Sequence, residues 1–222
     1  RLAERFGTKL IRGFSFYPPK DHDYKRYIPQ AVEQIGKIVQ LCEERGLIFG
    51  LEVEANLVGR DGETLKAICM QIQSPHLQLV FDGGNLSTQN MTADVVHMEY
   101  IRMCAWVGWM HMKDYRIDPD LAWKGYVDEA RLKNFVPCGM GDSGYKVVLD
   151  SFRIRMLSLS KYGVPGVFLD LEPHLKGGGQ FGGYSGPDGM FVALRALLTV
   201  LGEVGIGYRL RDFDDIQRVR GF

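Results

Sequence analysis

Four segments of this sequence run apolar and then stop on residues that bind metals or move protons. Leu47 to Glu54 (LIFGLEVE) ends in Glu52 and Glu54. His76 to Asp82 ends in Asp82, with Asn85 three residues on. Trp106 to His111 ends in His111, followed by Lys113 and Asp114. Val164 to Glu172 ends in Asp170 and Glu172, with His174 and Lys176 just beyond. Two glutamates, an aspartate and a histidine meeting at one point would make a site of three oxygens and one nitrogen. That donor set suits a divalent ion such as Mn2+, Mg2+ or Co2+, and is compatible with Zn2+. Burying those carboxylates without a partner would cost on the order of several kcal/mol each, and a cation removes that cost.

Taken singly, each residue has a plainer explanation. A Glu or Asp at a strand end can cap a helix or sit in water. His111, between Met110 and Met112, also fits a satisfied core position. Glu52 and Glu54 are two residues apart, so the strand register leaves open which of them faces the site. Four such endings in four successive strands are what a shared site requires.

These residues need elements that bring them together. Thr8 to Tyr17 reads as a first strand, closed by Pro18-Pro19. A helix follows from about Tyr24 to Arg45, with Ile28, Val32, Ile35, Ile38 and Val39 on one stripe and Gly46 as its stop. In the Leu47 strand, Leu47, Phe49, Leu51 and Val53 share one face, and Ile48, Gly50, Glu52 and Glu54 the other. Helices are expected over Asp61 to Gln73, Thr92 to Ala105, Tyr145 to Tyr162 and Met190 to Val204. A long polar excursion, Ile117 to Gly144, interrupts the pattern after the fourth strand. A glycine-rich loop, Lys176 to Gly189, follows the fifth.

The order is β-α repeated five times. Such alternation means a parallel sheet with right-handed crossovers, and the carboxyl ends of parallel strands converge on a binding face. An open doubly wound sheet and a barrel both fit the pattern. No GxGxxG follows a strand, so the dinucleotide-binding version has no support.

The bulk composition excludes other classes. The chain has 222 residues, 27 Lys plus Arg against 27 Asp plus Glu, and 45% hydrophobic residues. Charge balance gives no electrostatic basis for nucleic acid or an anionic membrane as partner. No apolar run approaches the ~18 residues of a membrane span. The cysteines, Cys42, Cys69, Cys104 and Cys138, form no CxxC pair, and reduced thiols in a cytoplasmic protein are expected. Residues 1–204 are read as one domain and 205–222 as a polar tail.

The ordered set of endings resembles the xylose-isomerase-like TIM barrels, the family of sugar and sugar-phosphate isomerases and epimerases and of apurinic endonuclease relatives. The motifs are Phe49-Gly50-Leu51-Glu52, Phe81-Asp82-Gly83-Gly84-Asn85, Met110-His111-Met112-Lys113-Asp114, Gly139-Met140-Gly141-Asp142 and Phe168-Leu169-Asp170-Leu171-Glu172. Asn85 stands where the family pattern has His. The resemblance implies Glu52, Asp82, His111 and Glu172 as metal ligands, with Glu54 the rival to Glu52. It implies a parallel α/β barrel in which the strand ending at His111 is the seventh and that ending at Glu172 the eighth. Thr8 to Tyr17 would then be the fourth. A full barrel needs about 250 residues, so a partial barrel of about five βα units, truncated at its N-terminus, is expected.

The implied activity is isomerisation or epimerisation of a sugar or sugar phosphate through a metal-bound enediolate. Glu52 and Glu172 would act as acid and base, and Lys113 would hold the enediolate oxygen. Glu54, Asn85, Arg116, His174 and Lys176 are candidates for substrate contacts, and Arg116 also reads as a solvated loop arginine. Family members often form homo-oligomers. The rival readings are a keto-inositol-type dehydratase, a metal-dependent phosphodiesterase of the apurinic endonuclease type, and a sugar-binding relative without turnover. The phosphodiesterases need many histidines, and of the five here only His111 and His174 are placed for ligation.

Overall fold

The computed structural model describes residues 2–19, 22–155, 159–164, 168–173, 187–209, 212, 214 and 217–218. After a short helix α1 (Leu2–Arg5), the elements run β1 (Leu10–Gly13), α2 (Ile28–Glu43), β2 (Ile48–Glu52), α3 (Gly62–Ile72), β3 (Leu77–Asp82), α4 (Gly83–Ser87), α5 (Ala93–Met103) and β4 (Val107–Met112). A small antiparallel pair, β5 (Asp114–Tyr115) and β6 (Phe135–Val136), lies in the excursion. Then come α6 (Tyr145–Arg155), β7 (Phe168–Leu171) and α7 (Pro187–Glu203). The main sheet has the order β1-β2-β3-β4-β7, every pair is parallel, and the sheet curls into a half-barrel.

The expected alternation is present, with shorter strands. Leu47, Phe49, Leu51 and Val53 face the helices, in a core shared with Ile35 and Val39 of α2 and Leu65 and Ile68 of α3. The concave face is filled by Ile48, Val80, Trp109, Leu159 and Val164. Trp109 thus fills the interior, and Gly50 makes room for it: a Cβ on Gly50 would lie 2.0 Å from the indole Cη2.

One irregularity decides where His111 points. Leu79 pairs with Val107, but Val80 pairs with Trp109, so Gly108 is an extra residue in β4. Val107 packs on the helix side and Trp109 on the concave side, although they are two residues apart. The bulge switches the alternation and re-aims the rest of the strand.

Local sequence accounts for the element starts. Asp61 accepts from the backbone N–H of Thr64 at 2.8 Å and opens α3. Thr92 precedes α5. The expected helix from Tyr24 begins as a 3-10 turn, Tyr24–Tyr27, before α2. Of the helix expected over Tyr145 to Tyr162, Tyr145–Arg155 is described as helix, and Ser160–Tyr162 forms a 3-10 turn. The excursion is less solvated than its polarity predicts. Asn56 exchanges two hydrogen bonds with the backbone of Val127, at 2.9 and 2.8 Å. Buried Arg131 donates to Thr88 O, Asn90 Oδ1 and Leu121 O. All four cysteines are buried and free. Among the described residues, no helix is long and apolar enough to cross a membrane.

Candidate metal centre

Four neighbouring strands deliver four side chains to one point. Glu52 is the last residue of β2 and Asp82 the last of β3; His111 lies in β4 and Glu172 directly follows β7. One ligand atom from each falls within 4.8 Å of every other. His111 Nδ1 faces the group, 3.0 Å from Glu52 Oε1, 3.1 Å from Glu172 Oε1 and 3.9 Å from Asp82 Oδ2. Glu52, Asp82 and His111 are buried, and Glu172 is partly exposed.

Neighbouring groups hold each carboxylate in place. Asp82 Oδ1 accepts from the backbone N–H of Asn85 at 3.0 Å and caps α4. Its Oδ2 lies 3.0 Å from Lys113 Nζ. Glu52 Oε1 accepts from Asn85 Nδ2 at 3.2 Å, and Oε2 lies 3.1 Å from Arg12 Nε. Neither ion pair has hydrogen-bond alignment, so Glu52 Oε2 and Asp82 Oδ2 are buried oxygens without a hydrogen-bond donor among the described residues. Lys113 Nζ donates to Glu172 Oε2 at 2.6 Å.

The electrostatics follow from this packing. Burial raises the Asp82 carboxyl to about 6, against the pull of Lys113. For His111, burial favours the neutral ring, but the hydrogen bonds to Glu172 and Glu52 and the surrounding carboxylates outweigh it and lift the pKa to about 10. Burial likewise opposes the Lys113 charge, and Asp82, Glu172 and Glu52 more than restore it, so its pKa stands well above the ordinary value. Positive charge is stabilised here from several directions. Three carboxylates and one ring nitrogen, brought together from four strands, fit a divalent cation.

The cluster opens into a cavity of about 520 Å³. Glu54 and Asn85 lie on its wall, and Asn85 Nδ2 donates to Glu54 Oε2 at 3.1 Å. Burial raises the Glu54 carboxyl to about 7. Glu52 is in the cluster of four, and Glu54 lies on the cavity wall. Val127, Leu132 and Phe135 of the excursion form an apolar wall. Arg116 is not brought to this cavity. It is exposed, donates to the Met140 carbonyl and borders a separate recess with Ile117 and Asn134. His174, Lys176 and the glycine-rich loop up to residue 186 lie outside the described residues.

Two residues escaped the sequence reading. Arg12 was within reach of it: in LIRG, Leu10 and Arg12 share the concave face, and a charge facing inward marks a site. Tyr145, whose hydroxyl donates to the His111 carbonyl at 2.8 Å, carries no local signal. Asp114, assigned no clear part from sequence, accepts from the backbone N–H of Tyr115, Gly139, Gly141 and Ser143.

Solved structures with this fold are numerous. A xylose isomerase-like TIM barrel protein from Mycobacterium smegmatis in complex with magnesium is 16% identical, with TM-score 0.60, covering 93% of this chain and 65% of that one. The IOLI protein, solved with a zinc atom, is 12% identical with TM-score 0.63, covering 91% and 66%. An L-ribulose 3-epimerase is 10% identical with TM-score 0.60, covering 95% and 69%. The chain thus spans less than two thirds of the magnesium-bound structure's length. No curated protein is matched significantly by the sequence. A family profile described as xylose isomerase-like TIM barrel matches residues 1–182. The chain belongs to the xylose isomerase-like TIM barrel family.

Proposed function

We propose that this chain carries the catalytic face of a divalent-metal-dependent sugar or sugar-phosphate isomerase or epimerase. The observation that carries the reading is the convergence of Glu52, Asp82, His111 and Glu172 within 4.8 Å, beside a cavity that Glu52 and Glu172 line. These four would hold the ion, with Mn2+, Mg2+ or Co2+ favoured by the oxygen-rich set and Zn2+ compatible with it. When bound, the ion supplies Lewis acidity toward a substrate carbonyl.

The protein's own groups do the rest. Glu172, the more exposed of the two glutamates, removes the proton from the carbon beside the carbonyl, and Glu52 returns it. Return at the neighbouring carbon isomerises; return from the opposite face epimerises. Lys113 is buried and held cationic, and it stabilises the oxyanion that forms. Glu54 and Asn85 meet substrate hydroxyls, and Val127, Leu132 and Phe135 keep water from the reacting carbon. The epimerase among the structural neighbours supports this reaction class.

The test is metal analysis combined with proton exchange from a panel of ketoses and their phosphates in deuterated water. The full chain should retain a divalent ion and wash deuterium into the carbon beside the carbonyl. Glu172→Gln and His111→Ala should each lose most of the bound metal and the exchange. Unchanged metal content in both variants would sink the reading.

A further inference from the structure

We infer that Tyr145 is a positioning residue for the metal centre, its phenol tying the end of β4 to the start of α4 and so fixing His111 against Asp82. The inference rests on the metal-centre reading above. Asp82 and His111 face each other as the last pair of the β3–β4 ladder. Beyond that pair the chain after Asp82 turns into α4, and the ladder cannot supply a partner to each exposed backbone group. Tyr145 supplies both. Its oxygen accepts from the Gly83 N–H at 3.0 Å and donates to the His111 carbonyl at 2.8 Å. One phenol oxygen stands where the next rung of the sheet would be, between the residues that carry two of the four ligands.

The fit around that oxygen is close. A Cβ on Gly83 would lie 3.1 Å from Tyr145 Cζ and 3.2 Å from its hydroxyl. On Gly84 it would lie 2.8 Å from the Lys113 carbonyl. The two glycines let α4 start against β4 with no side chain between. The ring is 1% exposed and packs edge-on to Phe81 of β3, at 6.4 Å and 81°. Its helix is also placed from outside. Tyr145 is the first residue of α6, and the loop before it is gathered by Asp114 through Gly139, Gly141 and Ser143.

Groups that orient metal ligands change metal affinity by about 10- to 100-fold when removed. A residue that only fills the core changes the melting temperature and leaves affinity alone. Titration of Mn2+ into the full chain by calorimetry, well below the melting temperature, separates the two. Tyr145→Phe keeps the ring and removes one oxygen, and its Mn2+ affinity should fall about 10- to 100-fold. Tyr100→Phe is the control. Tyr100 packs on the same Phe81, at 5.4 Å and 82°, and its buried hydroxyl has no hydrogen-bond partner among the described residues. Its Mn2+ affinity should match wild type. Equal affinity in wild type and Tyr145→Phe overturns this inference alone. No binding by the wild-type chain overturns the metal-centre reading and this inference with it. Should Tyr145→Phe not fold, amide exchange at Gly83 in the wild-type chain takes its place. Coupling is reciprocal, so Mn2+ loading should slow that exchange by about tenfold or more. Unchanged exchange overturns the inference.

Discussion

His111 competes for two kinds of cation, a proton and a metal. Its pKa of about 10 means the metal-free ring is charged at neutral pH, and a metal needs the nitrogen bare. Ion binding at neutral pH should therefore release one proton, and affinity should rise about tenfold per pH unit through the neutral range. Below about 6, Asp82 adds a second proton to the competition. Calorimetry in buffers of different ionisation enthalpy counts the protons, and a count of zero at pH 7 would contradict this charge assignment. The same raised pKa values set the metal-free stability. The folded chain binds more protons than the unfolded one, so His111 stabilises fully below 6.5 and loses that contribution as pH rises through about 10. Urea midpoints of the metal-free chain should fall across that window. His111, Asp82 and Glu172 were legible in sequence because each ends an apolar run. Tyr145 was not, because its partners Gly83 and His111 lie 62 and 34 residues away.

At the scale of elements, small residues do much of the placement. Gly108 is the bulge that turns His111 to the concave face, and nothing in VGWMHM announces a change of alternation. Gly50 leaves the space that the Trp109 ring fills. Gly50→Ala should destabilise by about 1–3 kcal/mol or more through overpacking, as thermal unfolding would show. Asp114 organises the loop before α6. Asp114→Asn would set an amide NH2 against backbone donors, and each buried donor left without an acceptor costs about 1–3 kcal/mol. Chemical unfolding of that variant should show a loss of this size. The excursion was read as polar and long. Its packing depends on Asn56 with Val127 and on Arg131 with Thr88 and Asn90, contacts between distant segments that periodicity does not reveal.

For the whole molecule, the β-α alternation was enough to give a parallel sheet, and the motif order distinguished a curled sheet from an open one. The first strand was overestimated: Thr8 to Tyr17 contains a four-residue strand. Phe14, Phe16 and Tyr17 continue past the last ladder pair at Gly13, so hydropathy alone overruns the strand. If the centre binds an ion, the folded state gains about 2.7 kcal/mol at an ion concentration 100 times Kd. Chelation should lower the melting temperature accordingly, and Glu172→Gln should be insensitive to the chelator.

Arg12 belongs to β1 and Glu172 follows β7, the outer strands of the described sheet, yet Arg12 Nη2 lies 4.0 Å from Glu172 Oε1. Laid flat, five strands would separate their outer members by about 19 Å. The carboxyl rim is thus clasped by charge, whereas the opposite end is wedged by Leu159 and Val164. Curvature in this sheet has two different keepers. Only the charged one is screened by salt; the apolar one is not.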